Sequence, residues 1–353
     1  MDVTLIVATF NRSEFLIRLL NYYSYTKFDG TIIIGDSSNI DHIVRTKAAI
    51  ENLSYKLNIQ YMEYPGLNST QAYEKLADLV NTPYVTLLGD DDFVLKAGLL
   101  ECCEFLSKNP EYIAANGKAW VFEVENGEAY GTVDITGAYP QPMINASSAS
   151  DRLLFHMRHY TVTLFSVFRL EAWQEIWRDV SLIKDRAFGS ELLPCGLSVA
   201  LGKVAHLDCL YLMRQSNNQR YIEPEFDLWI TDPKWFLSHQ IACDRLAEVL
   251  VTVDNIDYDD AFVIARKGFW FYLSRGVFEQ FQENHRQSLP HWKRWIQDWL
   301  SIPQLWRLFR RKKENRSVGL KSFLKTTSPD HGDFMPFYRA VTKPLCGSNT
   351  SVE

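Results

Sequence analysis

The sequence predicts an α/β fold on a mostly parallel sheet. Three observations carry the prediction. Short β-branched and apolar runs recur at 3–8, 31–34, 58–64 and 84–89. Helix-forming stretches of about ten residues separate them, the alternation that joins parallel strands. Polar residues then gather just past three of the runs, at Asn11, at Asp36 and at Asp90, Asp91 and Asp92. In sheets of this kind ligands collect at the carboxyl ends of the strands.

The elements follow in order. VTLIVA at 3–8 is continuously apolar, as a strand buried on both faces should be. TFNRS breaks it, and Ser13 is the expected N-cap of a helix through FLIRLLNYY. A second strand, TIII at 31–34, runs into Gly35-Asp36-Ser37-Ser38. A helix over about 40–53, a strand at 58–64 and a helix over 69–80 lead to YVTLLG and the three aspartates. A helix at 96–108 is stopped by Pro110. KAWVFEVE at 118–125 reads as a strand, and the Gly/Pro/Ser/Ala-rich stretch 131–150 as a loop. A strand is expected at 161–169, then a helix over EAWQEIWRDV, a loop and helix at 188–203, and a strand ending in Arg214 and Gln215. From 216 the composition turns helical and aromatic. Two regions are therefore expected, a catalytic 1–215 and a helical 216–353.

Composition narrows the class. The chain has 353 residues, 46% of them hydrophobic and 14% aromatic, as a globular protein requires. Its net charge of −6 is unevenly spread: 291–325 holds ten Lys/Arg against two Asp/Glu. A basic face toward something anionic follows, but not a nucleic-acid binder, which would be basic throughout. No leader pattern and no run of about 18 apolar residues is visible, so a cytoplasmic location is expected. The six cysteines show no zinc-ligand spacing. Neither a G-x-x-x-x-G-K-[ST] loop nor a G-x-G-x-x-G turn is present. A diphosphate would then need another holder, and a divalent cation on carboxylates is one.

VTLIVATFNRSEFLIRLL, IIIGDSS and YVTLLGDDDFVLKAG, in that order and spacing, resemble the family-2 glycosyltransferases of GT-A fold. The resemblance covers roughly 3–215 and implies bacterial-type polysaccharide or glycoconjugate biosynthesis from a nucleotide sugar, UDP-linked in preference. It places Thr9, Asn11 and Arg12 near the nucleotide base and Asp36 on the base or ribose. The family's D-x-D-D maps onto Gly89, Asp90, Asp91 and Asp92, with Gly89 as the departure. That puts Asp90 near the ribose or sugar, with Asp91 as the ligand of Mn2+ or Mg2+ and Asp92 in support. Arg214 is expected near the diphosphate, and Arg220 is a second candidate.

The chemistry asks for two kinds of help. The leaving diphosphate gains charge and needs a cation. The acceptor hydroxyl is a poor nucleophile and needs a base. By the resemblance the base is Glu191 of FGSELLP, with Asp185 as the runner-up, and the reaction is an inverting single displacement. His156 and His159 are further candidates for facing the acceptor. The processivity signature Q-x-x-R-W is absent, so one or a few sugars are added.

The segment 291–316, HWKRWIQDWLSIPQLWRLFRRKKENR, interleaves tryptophans with basic residues. It suits either the face of an anionic membrane or packing on the catalytic region. The expected partners are a nucleotide sugar and a glycan or lipid-linked acceptor at the inner face of the membrane. Two other functions compete: an inactive glycosyltransferase-like binding subunit, and a sugar nucleotidyltransferase, whose glycine-rich loop ATFNR lacks.

Overall fold

The structure is a computed structural model that describes residues 1–217, 225–288 and 319–345. Arg220 and the segment 291–316 lie outside the described residues.

The N-terminal half is wholly parallel. Strands β1 (Val3–Thr9), β2 (Thr31–Asp36), β3 (Asn58–Glu63) and β4 (Tyr84–Gly89) stand in the order β3-β2-β1-β4. Helices α1 (Ser13–Tyr25), α2 (Ile40–Leu53) and α3 (Ser69–Ala77) connect them. The register sets Ile6 beside Ile33 and Leu87. The pleat then sorts the side chains. Val3, Leu5, Val7, Ile32, Ile34 and Leu88 enter one core, while Ile6, Ile33, Val85 and Leu87 enter the other. With both faces covered, β1, β2 and β4 are mostly apolar, which is why they read so clearly, while the edge strand β3 is more polar.

Beyond β4 the sheet is mixed. The elements are β5 (Phe93–Val94), α4 (Lys96–Lys108), β6 (Tyr112–Val124), β7 (Val133–Tyr139), α5 (Ala149–Arg158), β8 (Val167–Arg169) and α6 (Leu170–Trp177). A single π-helical turn (Phe188–Leu192) runs into α7 (Leu193–Ala200), and β9 (Lys203–Gln215) follows. The path continues β4-β8-β6-β9-β5, with β7 paired to β6. β6 and β9 are parallel, while β8 runs antiparallel to β4 and β6.

Four local expectations are corrected. The stretch 131–150 holds the strand β7 and the start of α5. In β7, Val133 and Ile135 point inward between exposed neighbours, a period-two signal that the surrounding Gly and Pro obscured. The strand expected over 161–169 forms only at its end. Ser166 N–H donates to Thr163 O, a turn, and the Thr163 hydroxyl bonds that of Ser198. Ser13 is the first helical residue and Arg12 the cap, because the Ser13 hydroxyl is engaged by His42 Nδ1 at 2.9 Å. The strand expected at 118–125 begins six residues earlier, at Tyr112.

The C-terminal helices cover both faces. α8 (Phe226–Ile230), α9 (Pro233–Asp254) and α10 (Tyr258–Ser288) join the core around α5 and α7. α11 (Leu320–Phe323) and α12 (His331–Thr342) join the opposite one, where Phe337 packs edge-on to Phe93 and Phe122. Among the described residues no helix is long and apolar enough to cross a membrane.

His156 on α5 is fully buried, and neither ring nitrogen has a partner among the described residues. Burial lowers its pKa to about 3. The unfolded chain takes up that proton below about 6.5, so stability is whole above that pH and falls as pH drops below it, by about 1.4 kcal/mol per unit. His239, lowered to about 4 by burial and by Arg266, adds a second contribution. His156→Leu removes the first contribution, so its thermal midpoint should fall less, or rise more, than the wild type's between pH 7.5 and 5, a window in which the raised carboxyls of Asp90 and Asp92 act in the opposite direction. Equal changes in both proteins would contradict this assignment.

Candidate active site

Three adjacent strands deliver the cluster. Thr9 closes β1 beside Asp36, and Ala8 pairs with Gly89 at the end of β4. Past Gly89 the chain turns back at once, with Asp92 N–H donating to Gly89 O. The turn spreads the three carboxylates onto different partners.

Asp90 is 4% exposed and accepts from the Thr9 hydroxyl at 2.8 Å. Arg12 bridges its neighbours, with one amino group 3.3 Å from Asp90 Oδ1 and the other 2.7 Å from Asp91 Oδ2. Asn217 Nδ2 donates to the same Asp91 oxygen at 2.5 Å. Asp92 is 2% exposed, accepts from the Gln215 N–H at 2.9 Å, and lies 3.4 Å from Arg214 Nε. Arg214 is in turn sandwiched by Tyr139 and Phe165. Beneath them, the fully buried Arg18 donates to the carbonyls of Asp91 and Ala129 and lies over the Phe15 and Phe93 rings. Burial lowers its pKa to about 10, against the opposing pull of Asp91.

Three carboxylates stand against Arg12, Arg18 and Arg214, but burial still works against the charged forms. Burial first, and then the charge of Asp91, raise the pKa of both Asp90 and Asp92. Arg12 and Arg214 oppose this but do not cancel it. Burial pulls both arginines down, yet the aspartates outweigh it and leave each raised. A carboxyl whose pKa is raised in the folded state costs stability once the pH is high enough to ionise it. An added positive charge would relieve that cost.

Gly89 explains the departure from D-x-D-D. A Cβ there would stand 2.9 Å from Asp91 Oδ1 and 2.9 Å from Asp92 Oδ2. Those two oxygens thus converge on a space that any side chain would fill. Two hard oxygen donors in such a cradle fit a small divalent cation that shares its remaining sites with substrate phosphates. Among the described residues no group of three His, Cys, Asp or Glu could hold a metal by itself. Asp91 and Asp92 would be the protein's ligands.

Asn11 and Asp36 belong to a second network. Asn11 adopts a left-handed backbone, φ 55°, which Asn tolerates better than most residues. Its N–H donates to the Ser38 hydroxyl and its Oδ1 accepts from Asn39 N–H, so the turns after β1 and β2 are tied together. Asp36 is fully buried, with Oδ1 accepting from Ser38 N–H and Oδ2 from the Tyr61 hydroxyl. Both of its oxygens are thus engaged within the protein, and it braces this wall.

Glu191 lies on the π-helical turn, where the Tyr160 hydroxyl donates to its Oε1 at 3.0 Å. The Glu191 charge acts on Tyr139, whose ring lies under Arg214. Burial first raises the Tyr139 pKa to about 12, and both the Arg214 and the Glu191 charge act on it. Asp185 is consumed by structure, accepting from Phe188 N–H and from Trp229 Nε1. His156 is in the core, and His159 is exposed with Nδ1 against Phe155 O. The sequence reading passed over Arg18, Tyr139, Tyr160 and Asn217. Only Arg18 had left a trace, as a charge inside the apolar helix FLIRLLNYY.

The cradle at Gly89 makes a prediction. In Gly89→Ala the new Cβ would press on Asp92, which Gln215 and Arg214 pin, and destabilise the protein by about 1–3 kcal/mol. Gly89→Asp should be worse because it adds a fourth carboxylate. Denaturant unfolding measures both, and wild-type stability in Gly89→Asp would refute the packing argument.

No family profile matches the chain, and no curated protein matches it in sequence. Solved structures do. Residues 1–349 of TarS from S. aureus align over 84% of this chain and 78% of that one, at 16% identity and TM-score 0.53. A longer TarS structure aligns over 84% of this chain at 14% identity and TM-score 0.50, and this chain spans 47% of it. The 1–349 fragment in complex with UDP-GlcNAc aligns over 80% and 92% of the two chains, at 16% identity and TM-score 0.44. At such identities the likeness concerns the fold alone, a mixed α/β sheet flanked by helices.

Proposed function

We propose that this protein is a glycosyltransferase that moves a sugar from a nucleotide-sugar donor, UDP-linked in preference, to a hydroxyl of a glycan or lipid-linked acceptor. The observation that carries the reading is the arginine-braced aspartate triplet at the carboxyl ends of parallel strands. Asp91 and Asp92 would hold Mn2+ or Mg2+, which when bound supplies positive charge to the leaving diphosphate. Arg214 and Arg12 face the same charge, Arg214 toward the diphosphate and Arg12, with Thr9 and Asn11, toward the nucleoside. Asp90 is assigned to the ribose or sugar, and Asp36 shapes the wall beside the base.

Glu191 takes the proton of the acceptor hydroxyl. The oxygen then forms its bond to the anomeric carbon as the bond to the diphosphate breaks on the opposite face, which inverts that centre. The Tyr160 hydroxyl fixes the Glu191 carboxylate. The acceptor is assigned to the inner face of the membrane, which the basic and aromatic 291–316 would approach.

One observation favours a second reading. All three aspartates already have protein donors, two of them charged, as a subunit that binds a nucleotide sugar without transferring it could arrange. A donor-hydrolysis screen across nucleotide sugars, with and without divalent metal, separates the two. Turnover should need metal, and it should fall by about 10²-fold or more in Asp91→Asn and in Glu191→Gln with thermal midpoints retained. Wild-type turnover in both variants would sink the site assignment. No turnover with any donor would favour the binding subunit.

A further inference from the structure

Among the described residues, helix α10 leaves one face uncovered. Its inner face sends Ala261, Ala265, Phe269 and Leu273 into the core. Its outer face carries Val263, Trp270, Val277, Phe278 and Phe281, exposed by 62, 59, 44, 58 and 69% respectively. At 3.6 residues per turn, Val263, Trp270, Val277 and Phe281 fall within roughly 40° of one line, with Phe278 at its edge. The stripe is about 27 Å long at 1.5 Å per residue. A shallow depression of about 550 Å3 opens along it between Arg266, Lys267 and Trp270.

Arg266 and Lys267 flank the aromatic part of the stripe, within roughly 60° of its line. The exposed Asp259 and Asp260 stand one turn before Val263, at the end away from the aromatic residues. Arg275 lies roughly 120° round the helix. Arg275 pairs with Glu279 one turn on. Glu225 and Asp227 approach the helix only at Gln280, roughly 100° round from the stripe. Isolated exposed apolar side chains are ordinary, but a contiguous aromatic stripe with a basic border marks a contact surface.

We propose that this face of α10 docks the protein on an anionic lipid bilayer, with Trp270, Phe278 and Phe281 at the headgroup boundary and Arg266 and Lys267 against lipid phosphates. Tryptophan and phenylalanine beside Lys/Arg are the pattern of interfacial helices. Three residues past the end of α10 the sequence enters 291–316, with Trp292, Trp295, Trp299 and Trp306 among basic residues, so the same chemistry continues along the chain. A second copy of the helix is the poorer occupant, because a self-complementary interface sets the same patch on itself and so positive against positive. The inference rests on the membrane-side acceptor proposed above, but its readout is binding rather than transfer, so the two fail separately.

The test is flotation of the full chain with vesicles of phosphatidylcholine alone or mixed with phosphatidylglycerol. The wild type should float with the mixed vesicles, less so in high salt, and not with phosphatidylcholine alone. The triple variant Trp270→Ser, Phe278→Ser, Phe281→Ser should lose about tenfold in partitioning while its thermal midpoint and donor hydrolysis hold. Lys267→Glu should weaken binding in low salt. Three results would overturn the proposal: no flotation of the wild type, unchanged flotation of the triple variant, or a wild-type dimer in solution that the triple variant dissolves.

Discussion

Three carboxylates at the end of one buried strand repel each other, and the protein answers with arginines drawn from two directions. Arg12 comes from the turn after β1, Arg18 from α1 and Arg214 from the end of β9. Burial is expensive for every member of this group, so the geometry must be tight for any of it to be tolerated. Thr9, Gln215 and Asn217 complete the hydrogen bonds that the arginines leave open. The result joins β1, β4 and β9, which are far apart in sequence, into one rigid floor.

Much of the remaining structure supports that floor. The rings of Phe15 and Phe93 cover Arg18, and Phe93 is packed by Phe337 from α12. The C-terminal chain therefore reaches back to buttress the cluster from behind. On the other side the π-helical turn carries Glu191, held by Tyr160 from the end of α5. Such turns are unusual local geometry and occur often at functional sites, where they aim a side chain that a regular helix would turn away. Tyr139, stacked on Arg214, also feels the charge of Glu191.

The parallel half of the sheet was legible because burial on both faces leaves an unbroken apolar signature, as in VTLIVA and TIII. The polar residues at the strand ends were legible because they interrupt it. β7 was not, since Gly137 and the nearby prolines and serines outweighed the alternation of Val133 and Ile135. The cap at Ser13 failed because His42, a tertiary neighbour from α2, takes its hydroxyl. Gly89 looked like a defect in the motif. It reads differently once Asp91 and Asp92 are seen to converge where its side chain would be. Glu191 was ranked ahead of Asp185 on the resemblance alone; what the sequence hid is their partners, Phe188 and Trp229 donating to Asp185 and Tyr160 to Glu191.

The cost of burying the triplet's charge is the central claim, since it ties the cluster to a bound cation and diphosphate. Calorimetric titration of the wild type with a panel of nucleoside diphosphates, with Mn2+ and after chelation, tests it most directly. UDP should bind in the presence of Mn2+ and lose most of that affinity when the metal is chelated. Equal affinity with and without metal, or no nucleotide binding in either condition, would contradict it.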